Sequence, residues 1–124
     1  MAQGEVSIVK VRDVLLVTLP SSPGDSAVDN LQDKVLAKMV DLHPEGVILD
    51  ISLVEVVDSF FARTTEETAR MISLMGGRTV IAGMQPSVAI TATELGLSFG
   101  QIETALSVEE TLDIPSNTDE EELE

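Results

Sequence analysis

Hydrophobic positions along this chain switch between alternating or continuous runs and stripes three and four residues apart, and each switch marks an element boundary. Glu5 to Arg12 alternates, with Val6 and Ile8 on one side and Val9 and Val11 on the other. Asp13 breaks that pattern, and Val14-Leu15-Leu16-Val17-Thr18-Leu19 follows as a second, more buried strand. The short junction Arg12-Asp13 predicts a tight hairpin and therefore antiparallel neighbours. Pro20-Ser21-Ser22-Pro23-Gly24 reads as loop from its composition. From Asp25 or Ser26 the period becomes helical as far as about Leu42. Val28, Leu31, Val35 and Met39 form its core stripe, and Asp33, Lys34, Lys38 and Asp41 form a solvated face. His43-Pro44-Glu45-Gly46 ends the helix, because proline disfavours helical geometry in the residue before it.

The run Gly46-Val47-Ile48-Leu49-Asp50-Ile51 is continuously apolar up to Asp50, as expected of a strand buried on both faces of a parallel sheet. Asp58-Ser59 then opens a helix to about Met75, with Phe61, Thr68, Met71, Ile72 and Met75 directed at the core. Glu66 and Arg70 are spaced for a helical ion pair, and Gly76-Gly77 supplies the stop. Arg78-Thr79-Val80-Ile81-Ala82-Gly83 is the next buried strand. Gln85-Pro86-Ser87 opens a further helix striped by Val88, Ala92 and Leu95. A short edge strand is expected around 101–103. Ser107-Val108-Glu109-Glu110 has the form of a capping box and starts a last helix through about Leu112. The order predicts a single α/β domain over residues 1–114, with an N-terminal β-hairpin, a mostly parallel mixed sheet and helices packed on it. Residues 115–124 read as an acidic disordered tail.

Composition narrows the function. The 124-residue chain has no Trp, Tyr or Cys, so stacking platforms for single-stranded nucleic acid, thiolate nucleophiles and Cys-ligated zinc are all missing. Its formal charge is −15. Five carboxylates from Asp119 onward account for part of that, and the remaining 17 acids against 7 bases leave −10 on the body. Such a surface repels nucleic acid and attracts a basic protein partner. No apolar run approaches the roughly 20 residues of a transmembrane helix, and Met1-Ala2-Gln3-Gly4 begins no signal segment. A soluble cytoplasmic protein with no membrane contact is the expectation.

Catalytic chemistry finds little to work with. The sole histidine, His43, sits at a helix C-terminus, which favours its protonated form over a general base. No phosphate-cradling glycine motif is present, and Gly76-Gly77 reads as a helix stop. Asp50, Glu55 and Asp58 lie near the C-terminal end of the central strand, where α/β sheets place ligands. Three such carboxylates would suit Mg²⁺ around a phosphoaspartate. However, Lys10, Lys34 and Lys38 all come too early to supply a receiver's late lysine. Ser59 is the best candidate for chemistry, as a phosphate acceptor at the sheet rim facing the free N–H groups of a helical first turn. The plain alternative is that Asp58 caps the helix and Ser59 merely follows it. Asp58, Phe60 and Arg63 flank the acceptor as partner-contacting residues, and Thr64 and Thr65 are weaker acceptors a turn further in.

The central strand, the Asp58-Ser59-Phe60 helix start, Gly77-Arg78-Thr79-Val80 and Gln85-Pro86-Ser87-Val88-Ala89-Ile90-Thr91 together resemble a STAS domain over roughly Val6 to Leu112. The likeness is strongest to the small single-domain scaffolds of the bacterial stressosome. It implies a non-enzymatic antagonist that needs no cofactor or metal and acts in general stress signalling. Such a protein assembles with RsbR-type STAS paralogues in a large pseudo-icosahedral particle and sequesters a switch kinase of the RsbT type. That kinase would phosphorylate Ser59 and be released, and an RsbX-type phosphatase would reset the serine. A homodimer is the expected building unit. Many STAS antagonists read Asp-Ser-Ser/Thr-Gly at this point. Phe60 and Phe61 replace those residues here, leaving one adjacent acceptor hydroxyl. A small-molecule or nucleotide-binding regulatory STAS domain is the alternative.

Overall fold

The computed structural model describes residues 6–96 and 102–112. Ser7–Val11 (β1) and Val14–Thr18 (β2) form the hairpin, paired antiparallel from Val11↔Val14 to Ser7↔Thr18 around the two-residue turn Arg12-Asp13. Gly46–Asp50 (β3), Arg78–Ala82 (β4) and Glu103–Ala105 (β5) add in parallel, giving the sheet order β1-β2-β3-β4-β5. The connections are Asp25–Leu42 (α1), Ser59–Leu74 (α2) and Pro86–Glu94 (α3), and residues 108–112 form a last helix, α4. This is the mixed, mostly parallel α/β sheet with a leading hairpin that the hydrophobic pattern predicts. The acidic tail, Gln101 and the segment before it lie outside the described residues.

Strand order fixes where the helices go. From β2 to β5 the chain steps along the sheet in one direction, and right-handed crossovers place every connecting helix on the same face. Register identifies that face: Leu15 pairs with Val47, which pairs with Thr79, and Val17 pairs with Leu49, which pairs with Ile81. These strand residues form one buried cluster with Val28, Leu31, Val35 and Met39 of α1, Phe61 and Ile72 of α2, and Val88 of α3. The opposite face carries Leu16, Ile48 and Val80 in register, and among the described residues α4 covers part of it. Glu110, Thr111 and Leu112 close one side of a groove of about 470 Å³ there, and Arg12 Nη1 donates to the Leu112 carbonyl at 3.2 Å.

Several side chains land elsewhere than the stripes suggest. Met71 and Met75 are exposed, and Thr64, Thr65 and Thr68 fill the buried face of α2 between Phe61 and Ile72. The reason is helical phase: Met71 stands about 100° from Ile72, and Met75 is already the C-cap. Leu95, expected on the stripe of α3, is likewise a C-cap residue in solvent. Glu66 and Arg70 make no ion pair; the one within 4 Å among the described residues is Arg78–Glu103, a bidentate contact between β4 and β5. That pair anchors an edge strand two residues later than the expected 101–103. The strand had no readable alternation because it carries only three residues.

Gly46 starts β3 where the backbones of β3 and β4 nearly touch: a Cβ there would lie 2.6 Å from the Arg78 carbonyl oxygen. A backbone atom cannot rotate away, so Gly46→Ala should cost about 1–3 kcal/mol through forced strand separation. A lowered urea midpoint at unchanged slope is the measurement.

Candidate functional site

β2, β3 and β4 run parallel, so their C-terminal ends at Thr18, Asp50 and Ala82 share one rim. The segment from Ile51 to Asp58 crosses that rim and delivers the chain to α2. Ile51, Val54 and Val57 point inward and are buried, locking the crossing to the core every third residue. Its backbone is tied on several sides. The Ile51 amide donates to the Ala82 carbonyl at 3.0 Å, the Ser52 amide to Asp50 Oδ1 at 3.0 Å, and the Glu55 amide to the Ser21 carbonyl at 2.8 Å. Gln85 Nε2 donates to the Ser52 carbonyl at 2.8 Å. Gly83 makes this approach possible. Its φ of 79° is a glycine conformation, and a Cβ there would meet Ser52 Cβ at 2.9 Å.

Asp58 is the N-cap of α2, extended at φ −123° and ψ 177°, and its Oδ1 accepts the Phe61 amide at 2.8 Å. The Ala62 amide reaches the Asp58 carbonyl at 3.1 Å. By helix geometry the amides of Ser59 and Phe60 have no intrahelical acceptor and face the rim. Ser59 is the first helical residue and its side chain is exposed. Directly beneath it, Phe61 is buried at 4% exposure. The structure therefore separates two roles within four residues: Asp58 and Phe61 hold the helix start, and Ser59 stands on top of it. Asp58→Ala should lower stability by about 1 kcal/mol, the usual value of a side-chain cap, measurable by urea unfolding.

The other proposed contact residues divide. Arg63 is exposed one turn along α2. Phe60 is half-buried and packs against the core, so little of its ring is available as an outward anchor. Thr64 and Thr65 are 7% and 3% exposed. Thr64 offers its carbonyl to Thr68 Oγ1 at 2.7 Å, and Thr68 in turn accepts from Gln32 Nε2 of α1 at 2.9 Å. A kinase would have to unfold this seam to reach either threonine. His43 caps α1 in a left-handed conformation, φ 48°, at the end of the domain away from Ser59. Among the described residues no three His, Asp or Glu side chains come together as a metal cluster. Asp50, Glu55 and Asp58 therefore do not converge as a phosphoaspartate receiver requires.

Sequence reasoning missed two side chains at the site, Leu53 and Val56, which are 57% and 58% exposed on the crossing segment. Their signal was present in the spacing. Once Ile51, Val54 and Val57 are taken as the buried positions, the remaining apolar residues must face water. No helix among the described residues is long and apolar enough to cross a membrane.

The comparisons with known proteins agree with this geometry. The STAS domain family model matches residues 5–111. A serine-to-glutamate variant of RsbS from Moorella thermoacetica superposes with a TM-score of 0.78 at 35% identity, covering 93% of this chain and 97% of that one. A chain from the molecular architecture of the stressosome, described as a signal integration and transduction hub, superposes at 0.73 with 33% identity over 91% of this chain and 98% of that one. The RsbT co-antagonist protein RsbRD of Bacillus subtilis is 32% identical over 64% of this chain, which spans only 29% of that longer protein. With the family model spanning nearly its whole described length, the chain belongs to the STAS domain family.

Proposed function

We propose that this chain is a stressosome scaffold and antagonist, switched by phosphorylation of Ser59. It holds an RsbT-type serine kinase while Ser59 is unmodified and releases it once the phosphate is added. An RsbX-type phosphatase resets it. RsbR-type STAS paralogues share the assembly, a homodimer is its building unit, and the whole acts in the cytoplasm without catalysing a reaction of its own. The observation that carries this reading is the Ser59 hydroxyl. It stands exposed on the first turn of α2, while the residues on either side of it do the structural work. The likeness to RsbS and to a stressosome chain, each covered almost entirely, supports the choice within the family.

Phosphate fits this position as a switch and not as a glue. The open amides of the first turn and the helix dipole favour it, whereas Asp58 and Glu55 oppose its added charge of about −1.5 to −2. The charge therefore changes what docks on the rim more than it changes the fold. The experiment is direct: incubate the chain with the kinase and ATP, map the modified residue by mass spectrometry, and follow the complex by size-exclusion chromatography. Modification at Ser59 with loss of the complex is expected. A complex that persists after full modification would sink the release mechanism.

The small-molecule reading would use the groove on the α4 side of the sheet. Its one lining cation among the described residues, Arg78, is already paired with Glu103, and Glu45 and Glu110 bring further negative charge. That lining disfavours a nucleotide phosphate.

A further inference from the structure

Leu53 and Val56 are unusual among the exposed apolar side chains because they stand on backbone that is held from beneath and from both sides. Val54, between them, is fully buried, the Val54 amide donates to the Ile51 carbonyl at 3.0 Å, and the Glu55 amide is bound to Ser21. Ser52, next to Leu53, is clamped by Asp50 and Gln85. Neighbouring backbone is thus fixed before any partner arrives, and the ordering cost that usually offsets apolar contacts on loops is already met by folding. Fixed apolar side chains surrounded by polar residues are the arrangement from which interface anchors are made.

The chemistry around them selects the occupant. Glu55 lies between the two in sequence, and Asp58 and Ser59 come two and three residues after Val56. Glu55 and Asp58 are both exposed and acidic, on a chain whose net charge is −15. We propose that Leu53 and Val56 are the apolar anchor for the kinase that modifies Ser59, and that its docking face has an apolar pocket rimmed by Lys or Arg. The proposal rests on the reading of Ser59 given above and names the surface that reading leaves open. A second copy of this chain fits poorly, because it would bring its own Glu55 and Asp58 against these. Val56 lies three residues before Ser59, so a phosphate there is added at the edge of the docked surface. The repulsion it creates acts on the same interface that delivered the kinase.

The test uses the full chain and an RsbT-type serine kinase. Leu53→Ser and Val56→Ser together should weaken capture at least about 30-fold, since truncating a central apolar anchor commonly costs about tenfold or more. Leu74→Ser removes a side chain that is 84% exposed at the other end of α2, and should leave capture within about twofold. Glu55→Lys should slow association, with the defect shrinking as salt is added, if the partner's rim is basic. The KM for the chain as phosphorylation substrate should rise in parallel with the loss of capture. Circular dichroism and urea midpoints check that the variants remain folded. If the wild-type chain is captured and phosphorylated on Ser59 but the double variant behaves identically, the anchor is overturned and the Ser59 reading stands. If the wild-type chain is neither captured nor phosphorylated, the Ser59 reading itself fails and the anchor with it. Loss of self-association in the double variant, with kinase capture unchanged, would assign the patch to a second copy and overturn the proposal.

Discussion

Replacing Ser59 with alanine should abolish phosphorylation of this protein while leaving its unfolding transition within about 1 kcal/mol of wild type. The first half of that result follows from accessibility. Ser59 is exposed, whereas Thr64 and Thr65 are buried at 7% and 3% exposure. The second half follows from where the helix gets its cap. Asp58, not Ser59, supplies the acceptor for the Phe61 amide, so removing the Ser59 hydroxyl deletes no hydrogen bond among the described residues. Ser59→Asp sets the complementary case. A carboxylate at the first helical position is favourable to the helix by about 0.3–1 kcal/mol, which offsets repulsion from Asp58. The mimic should therefore melt within a few degrees of wild type and yet bind the kinase markedly less well. Phosphate still incorporated in Ser59→Ala, read by intact mass, would move the site elsewhere. A mimic that unfolds would show that Ser59 is part of the packing after all.

Phe61→Ala should have the opposite profile and the largest cost in stability. The ring lies in the core cluster at 4% exposure, between the start of α2 and the strands beneath. Removing a buried aromatic side chain costs about 3–5 kcal/mol, from lost transfer energy and from the cavity left behind. In a domain of this size, that corresponds to a fall in melting temperature on the order of 10–20 °C. The adjacent pair Phe60-Phe61 makes the comparison informative. Phe60 is only half-buried, so Phe60→Ala should cost clearly less. If the two substitutions cost the same, the inward and outward assignment along this turn would be wrong.

Much of the site could be read from its own residues because its parts are local. Asp58 caps an amide three positions on, and a helix start after a buried strand is visible as a change of period. The hairpin at Arg12-Asp13 and the stripe of α1 were legible for the same reason: turns and helix faces are fixed by neighbours within about one turn. The misreadings occur where the phase of a helix or a distant partner decides. Met71 and Met75 look like core residues by composition, but the buried face of α2 is completed by threonines. One of these, Thr68, is satisfied by Gln32 from another helix. Arg78 finds its carboxylate 25 residues away on a strand too short to show a pattern.

The sequence by itself determined the elements, their order, the mixed sheet, and the serine placed where the middle strand passes into its helix. Each of these rests on short-range rules of period, capping and turn geometry. Only the tertiary structure decided which hydroxyls a second protein can touch and which apolar side chains are left for it. Burial depends on what packs from elsewhere in the chain. Thr64 and Thr65 are removed from the surface by the packing around α2, and Leu53 and Val56 are held on it because Ile51, Val54 and Val57 take the places beneath.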